Sequence, residues 1–368
     1  MKVAHFIKKN IVFCIAALAA TITCFFVPPD NTYLDYFDFK TLSCLFLTLA
    51  VVCALRNIKF FTILARKLVC LAGNLRSLFL LLITITFIGS MIIANDMALI
   101  TFLPLGYYAL SVTKQEKYMA YLFVLQNISA NLGGMLTPFG NPQNLYLYSY
   151  FKIPTGEFCS IMLPSFLLAV LLLIIACIPL KAEKFALDYD FNEKLNVNKA
   201  VLYCALFMFS ILIVFRIVPF IIGLLIIPVV LFFVERDALK MVDYALLGTF
   251  FFFFIFAGNL ARLEVVNALI SSLLERNTLI TSILSCQIIS NVPSAILLSR
   301  FTQDYPALLL GVNIGGTGTL IASLASLITF NEFKILYPKQ IKKYLCIFAV
   351  ANIVFLVILT VAAALFLQ

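Results

Sequence analysis

The chain has 368 residues, 63% of them hydrophobic and 12% charged, and a net charge of +9. So much apolar surface excludes a water-soluble fold and predicts an all-α polytopic membrane protein. The basic excess then belongs to cytoplasmic loops; no Lys/Arg run with interleaved aromatics points to nucleic acid.

Ten cysteines and one histidine, His5, include no CxxC pair. A structural zinc site or a disulfide framework is not expected, and packing accounts for the thiols. Lys2, Lys8 and Lys9 precede an apolar run at 11–27. A cleaved signal peptide is the alternative, but the run ends in Pro28-Pro29 without a small-x-small site, so it reads as a retained first span.

An acidic loop with Asp30, Asp35 and Asp38 follows, then a span at 41–55. Residues 56–76 carry Arg56, Lys59, Arg66, Lys67 and Arg76 among apolar residues, as an interfacial amphipathic helix would. Apolar arms at 77–94 and 97–112 flank Asn95-Asp96, and the segment 118–151 contains a polar break. A span at 159–180 leads to the polar loop 181–199, and further spans lie at 200–217, 219–234 and 244–258. A second amphipathic stretch occupies 259–277, two short arms flank Ser290-Asn291, segment 306–330 carries a second break, and the last span is 345–367. The Phe-rich run Phe250 to Phe254 is expected to face lipid.

The two breaks are related. Ala130 to Asn144 reads A-N-L-G-G-M-L-T-P-F-G-N-P-Q-N and Val312 to Ser326 reads V-N-I-G-G-T-G-T-L-I-A-S-L-A-S. A gapless shift of 182 residues (131 to 313) pairs Asn131 with Asn313, Gly133 with Gly315, Thr137 with Thr319, Gly140 with Ala322, Asn141 with Ser323 and Asn144 with Ser326. The order of parts also repeats: span, amphipathic stretch, paired arms with Asn at the tip, interrupted span. The division that follows is 1–40 (first span and loop), 41–180 (first repeat and a span), 181–199 (linker), 200–343 (two spans and the second repeat) and 344–368 (last span).

The second pair of arms is short. Residues 278–289 would extend only about 18 Å, against a hydrocarbon core of about 30 Å. This predicts a re-entrant hairpin, and the repeat extends that expectation to the first pair. With the N-terminus inside, 20 of the 26 Lys and Arg fall on the cytoplasmic side, leaving Lys40, Lys152, Arg216, Arg262, Arg276 and Arg300 outside. On that topology the repeats are inverted.

Asp96 between apolar arms is costly at mid-bilayer, by ~2.5–3.5 kcal/mol on insertion scales, which fits a coupling-ion or proton-binding carboxylate. The alternative is a carboxylate in an aqueous loop. Asn95 and Asn291 at the tips offer a carbonyl to a cation and amide donors to an anion, or serve as interhelical hydrogen-bond partners. Pro142 lacks an N–H, so carbonyls near Phe139 and Gly140 lose helical partners. Such backbone is tolerated at depth only inside protein or beside water. Asn131, Thr137, Asn141, Asn144, Asn313, Thr317, Thr319, Ser323 and Ser326 are candidate lining residues, with Ser290 at the second tip. A sodium ion is expected near Asn95, Asp96, Gly140, Asn291 and Ala322. Gly133-Gly134 and Gly315-Gly316 read as close-approach positions.

The motifs I-A-N-D-M-A-L-I, N-L-G-G-M-L-T-P-F-G-N-P-Q-N, I-S-N-V-P-S-A and V-N-I-G-G-T-G-T-L-I-A-S-L-A-S together resemble the ion transporter superfamily. That group includes divalent anion/sodium symporters, citrate transporters, arsenite permeases and some sodium/proton antiporters. The resemblance covers nearly the whole chain after the first span. It implies an elevator-type homodimeric carrier, each protomer with a scaffold and a moving transport domain, and no cofactor beyond a coupling sodium or proton. Ala94-Asn95-Asp96 and Ser290-Asn291-Val292 match the family's hairpin-tip motif but depart from Ser-Asn-Thr at the third position. The Asn-Asp pair is closer to the arsenite-permease-like branch. Gly140-Asn141-Pro142-Gln143-Asn144 matches the broken-helix motif.

The function expected is a secondary active transporter of a small carboxylate or inorganic oxyanion in the bacterial inner membrane, N-terminus cytoplasmic. Its partners are the anion, a coupling cation, the bilayer and a second copy, with no nucleic acid. The alternatives are an arsenite-type efflux permease or a sodium/proton antiporter using Asp96. A membrane-embedded enzyme is more remote, since the sequence has no intramembrane His, clustered carboxylates or nucleophile motif.

Overall fold

The computed structural model describes residues 10–181 and 195–367, and those residues contain α- and 3₁₀-helices and no strand. Residues 182–194 of the expected linker 181–199, with Lys2, His5, Lys8 and Lys9, lie outside the described residues. Six of the helices are long and apolar enough to cross a membrane, and the chain is an integral, multi-pass protein.

The helices are α1 (Ile11–Phe26), α2 (Phe39–Asn57), α3 (Phe60–Val69), α4 (Leu75–Ile93), α5 (Asn95–Val112), α6 (Met119–Gly133), α7 (Pro142–Tyr150), α8 (Thr155–Cys177) and α9 (Val197–Val214). They continue as α10 (Phe220–Val234), α11 (Arg236–Lys240), α12 (Tyr244–Arg262), α13 (Glu264–Arg276), α14 (Thr278–Ile289), α15 (Asn291–Leu298), α16 (Tyr305–Ile314), α17 (Leu324–Leu336) and α18 (Ile341–Phe366). The stretch 56–76, expected as one amphipathic helix, is helical as α3 only over Phe60–Val69, between the left-handed Lys59 and the Asn74 cap.

The same caps start matching elements. Asp38 accepts from the amide of Thr41 at α2 and Asp243 from that of Leu246 at α12, each at 2.9 Å. Asn74 caps α4 through Ser77 N at 2.9 Å and Asn277 caps α14 through Ile280 N at 2.8 Å. Each side chain takes up an amide that the helix start would otherwise leave unpaired.

Within each copy the hairpin packs on the first half of the broken helix: α4 and α5 on α6, α14 and α15 on α16. Across copies the contact is exchanged, with α7 on α15 and α17 on α5. These helices form the core of the molecule. The α1 helix runs along α12, where Phe13 meets Phe252 edge-on and Asn259 Nδ2 donates to Thr23 Oγ1 at 3.1 Å. Of the run Phe250 to Phe254, Phe250, Phe253 and Phe254 are buried, which corrects the expectation of a lipid-facing run. Phe254 packs against Tyr146 of α7 with tilted rings whose centres are 5.6 Å apart, and of the run only Phe251 is exposed. An apolar helix that faces the core on one side and lipid on the other has no polar stripe to reveal which phenylalanine turns inward.

Candidate functional site

Both hairpins turn on one residue. Ala94 has φ +67° and ψ 152°, and Ser290 has φ +76° and ψ 160°. That region is essentially reserved for glycine and costs on the order of 1–3 kcal/mol for another residue. The next side chain seals the turn identically: Asn95 Oδ1 accepts from Asp96 N and Asn291 Oδ1 from Val292 N, both at 2.9 Å. Asn95 and Asn291 are buried, and Asn95 Nδ2 lies 3.2 Å from Asn131 Oδ1 in the first break. The Asn95-Asp96 tip is therefore inside the core and not an exposed aqueous loop.

The breaks follow the same plan. Asn141 and Ser323 both adopt extended backbone (φ −135°, ψ 144°; φ −149°, ψ 141°) and release the next helix, with Pro142 as the first residue of α7. Proline suits that position because its missing N–H has no intrahelical partner there. Thr137 Oγ1 donates to Met91 O at 2.8 Å and Thr319 Oγ1 to Gln287 O at 3.3 Å, so each break is tied to its own hairpin. A Cβ on Gly133 would stand 2.2 Å from Phe87 O, and one on Gly315 would stand 2.9 Å from the Cys286 side chain. These glycines let the broken helix approach the hairpin arm, as expected.

The halves meet through a hydrogen bond made twice with the copies exchanged. Ser323 Oγ donates to Asn131 Oδ1 at 2.7 Å, and Asn141 Nδ2 donates to Asn313 Oδ1 at 3.4 Å. Around them Asn313 Nδ2 donates to Asn144 Oδ1 at 2.6 Å, Gln143 Nε2 to Asn313 Oδ1 at 3.3 Å, and Asn127 Nδ2 to Ser326 Oγ at 3.2 Å. Asn144 Nδ2 also reaches Gly134 O at 3.1 Å. Asn131, Asn141, Asn144, Asn313 and Ser326 thus form a buried polar seam.

In front of that seam lies a cavity of about 380 Å³. Asn95, Asp96, Pro142, Gln143, Ser290, Asn291 and Ser323 form its polar wall; Ile11, Val12, Ile15 and Ala19 of α1 and Leu246, Phe253 and Phe256 of α12 face them. Four helices begin at this wall: α5 at Asn95, α7 at Pro142, α15 at Asn291 and α17 at Leu324. Their positive ends converge on one volume, a setting that favours negative charge. Asp96 Oδ1 and Gln143 Oε1 of this wall are buried without a hydrogen-bond partner, as are Asn141 Oδ1 and Asn127 Oδ1 in the seam behind it. Oxygens of this kind suit a hard cation such as sodium. The arrangement can therefore hold an anion at the helix starts and a cation beside Asp96.

Not every candidate reaches the cavity. Thr317 is buried and donates to the carbonyl of Ile314, the last residue of α16, at 2.6 Å. Thr137 and Thr319 hold breaks to hairpins, and Gly140 packs where a Cβ would be 2.5 Å from Gly134 O. The Ala322 carbonyl receives Asn291 N at 3.0 Å and Ser290 Oγ at 3.3 Å, so it fastens the second tip. Sequence reasoning missed Gln143, Asn127 and Gln287. Gln287 braces the second break, accepting from Thr319 N at 2.8 Å and donating to Gly315 O at 2.9 Å. Met91 and Leu309 stand at the repeat positions of Gln287 and Asn127, so repeat matching could not find them; Gln143 lay in plain view inside N-P-Q-N.

The family profile described as citrate transporter matches residues 3–305. An uncharacterized transporter of Methanocaldococcus jannaschii is 32% identical over 332 residues, covering 89% of this chain and 90% of its own length. The inner membrane protein YbiR of Escherichia coli is 29% identical over 281 residues, 74% of each chain. With that coverage, and with tips and breaks assembled as described, the chain belongs to the citrate transporter family of the ion transporter superfamily and is a membrane transporter.

Proposed function

We propose that the protein is a secondary active transporter that carries a small carboxylate or inorganic oxyanion with sodium or protons, by elevator-type alternating access. The observation that carries this reading is the single cavity of about 380 Å³ onto which four helix starts, two Asn tips and Asp96 converge. Helix starts and amides serve the anion, and Asp96 with Asn95 serves the coupling ion. The exchanged contacts between 41–180 and 200–343 support two inverted repeats. The bias of Lys and Arg supports a cytoplasmic N-terminus in the inner membrane, and a homodimer is what the resemblance to the superfamily implies.

Flux of citrate, sulfate and arsenite in proteoliposomes, with and without sodium and proton gradients, tests the proposal. Wild type should accumulate at least one anion against its gradient, and Asp96→Asn should lose that accumulation. The unpartnered Asp96 oxygen favours one second reading, a sodium/proton antiporter in which the carboxylate alternates between the two ions. Sodium-driven proton movement with no anion present would replace the first reading by the second.

A further inference from the structure

Four of the six basic residues that the charge bias leaves outside converge. Lys40, Lys152, Arg216 and Arg300 line one cavity of about 370 Å³, together with Asp35 and Asp38. No ion pair among the described residues involves any of the four. Asp38 is occupied as the α2 cap, bonded to Thr41 N at 2.9 Å and Thr41 Oγ1 at 2.5 Å.

The two arginines are held in place. Arg216 donates to Tyr148 O and lies 4.4 Å from the Tyr148 ring centre; Arg300 Nη2 donates to Tyr36 O at 2.5 Å. Yet the Nε of each is buried with no partner.

Helix-end electrostatics does not explain the cluster. Lys152, Arg216 and Arg300 follow the C-terminal ends of α7, α9 and α15, where a cation is favourable. Lys40 is the second residue of α2, at a helix start, where it is not. Three helix ends and one unfavourable helix start bring four cations to one concavity.

The cavity is also connected to the core site. The α7 and α15 helices pack on each other, start at the core cavity and end at the basic one. The nine residues of α7 separate the two by about 13 Å at ~1.5 Å per residue.

We propose that this basic cavity is a second anion site, a vestibule that captures a small multivalent carboxylate or oxyanion before it reaches the core cavity. The capture role rests on the anion-transport reading; binding at the vestibule does not. Four cations against Asp35 and Asp38 leave the cavity with a net positive charge, and a cleft with such an excess concentrates its counter-ion and speeds association, less as salt rises.

The test compares wild type with Lys40→Gln/Lys152→Gln, which spares the two arginines bonded to backbone carbonyls. Citrate and sulfate uptake is measured in phosphatidylcholine proteoliposomes from low to high ionic strength. The double variant should show a KM raised by about 3- to 10-fold at low salt, unchanged kcat, and a difference that closes as salt screens the cluster. An equal KM with an equal salt dependence overturns capture.

Thermal stabilisation by citrate or sulfate in detergent is the second arm, and it holds even if neither anion is transported. Stabilisation reduced in the double variant supports the site; equal stabilisation overturns it. Stabilisation by phosphatidylglycerol alone, lost in the variant, assigns the cluster to a lipid headgroup and also overturns the proposal.

Discussion

Asn313→Ala removes the residue at the centre of the seam between the two copies. Asn313 is 1% exposed and takes part in four side-chain hydrogen bonds. Leu309 O keeps a helical neighbourhood and loses little, and Asn141 Nδ2 retains Asn131 O at 3.4 Å. Asn144 Oδ1 and Gln143 Nε2 lose their partner and stay buried. Interhelical hydrogen bonds in membranes average only about 0.6 kcal/mol each. Two stranded buried polar groups cost ~1–3 kcal/mol apiece and therefore dominate, for a total of about 2–6 kcal/mol. At roughly 2–4 °C per kcal/mol, Tm should fall by on the order of 10 °C. Thermal unfolding of the purified protein in detergent measures it, with Thr317→Val as reference. That change removes one bond from a threonine hydroxyl to the end of the preceding helix, worth about 0.5–1.5 kcal/mol. If Asn313→Ala loses no more stability than Thr317→Val, the seam does not hold the halves together.

Ala94→Gly should stabilise the protein by ~0.5–2 kcal/mol: it removes strain at φ +67° and gives back part of the gain in unfolded-state entropy. A lower Tm in this variant would show that the tip is not strained. Asp30 is held near pKa 2, below its usual 3.8, by the hydrogen bond from Arg262 and by Thr32. A depressed carboxylate stabilises the fold above its unfolded pKa and loses that contribution as pH falls through the folded one. The Tm gap between wild type and Asp30→Asn should hold above pH ~4 and close between about 4 and 2; a gap unchanged at pH 2 contradicts the assignment.

The sites where the chain breaks were legible because glycine, proline and amide residues interrupt apolar runs that otherwise need every backbone group paired internally. Ala94-Asn95, Ser290-Asn291, Asn141-Pro142 and Ser323 all fall at helix boundaries. Which polar residue faces the cavity was not legible, because that depends on packing between segments far apart in the chain. Thr317 and Ser323 are both small hydroxyl residues in one motif, yet the first bonds the end of the helix just before it and the second reaches Asn131 in the other copy. The vestibule was hidden for the same reason. Lys40, Lys152, Arg216 and Arg300 entered the sequence argument only as exceptions to a charge rule.

The two copies match closely within the core and differ in how they are seated. Crossed contacts of α7 with α15 and α17 with α5 are reciprocal. The flanking helices are not: α2 packs on α7, whereas α12 packs on α15. The spaces beside the breaks are just as unequal. Against α2, the space lined by Ala94, Asn141 and Pro142 is about 10 Å³; against α1 and α12, the space lined by both tips is about 380 Å³. Asp96 has Val292 as its counterpart, so the first tip carries a carboxylate and the second does not. Asp96 nevertheless opens onto the larger space, shared with Ser290 and Asn291 of the second copy. Under the proposed mechanism, a carboxylate from one copy and a tip from the other therefore travel as one unit with the core. The flanking helices determine which side of that unit is open, so an anion and a coupling ion bound there would cross together.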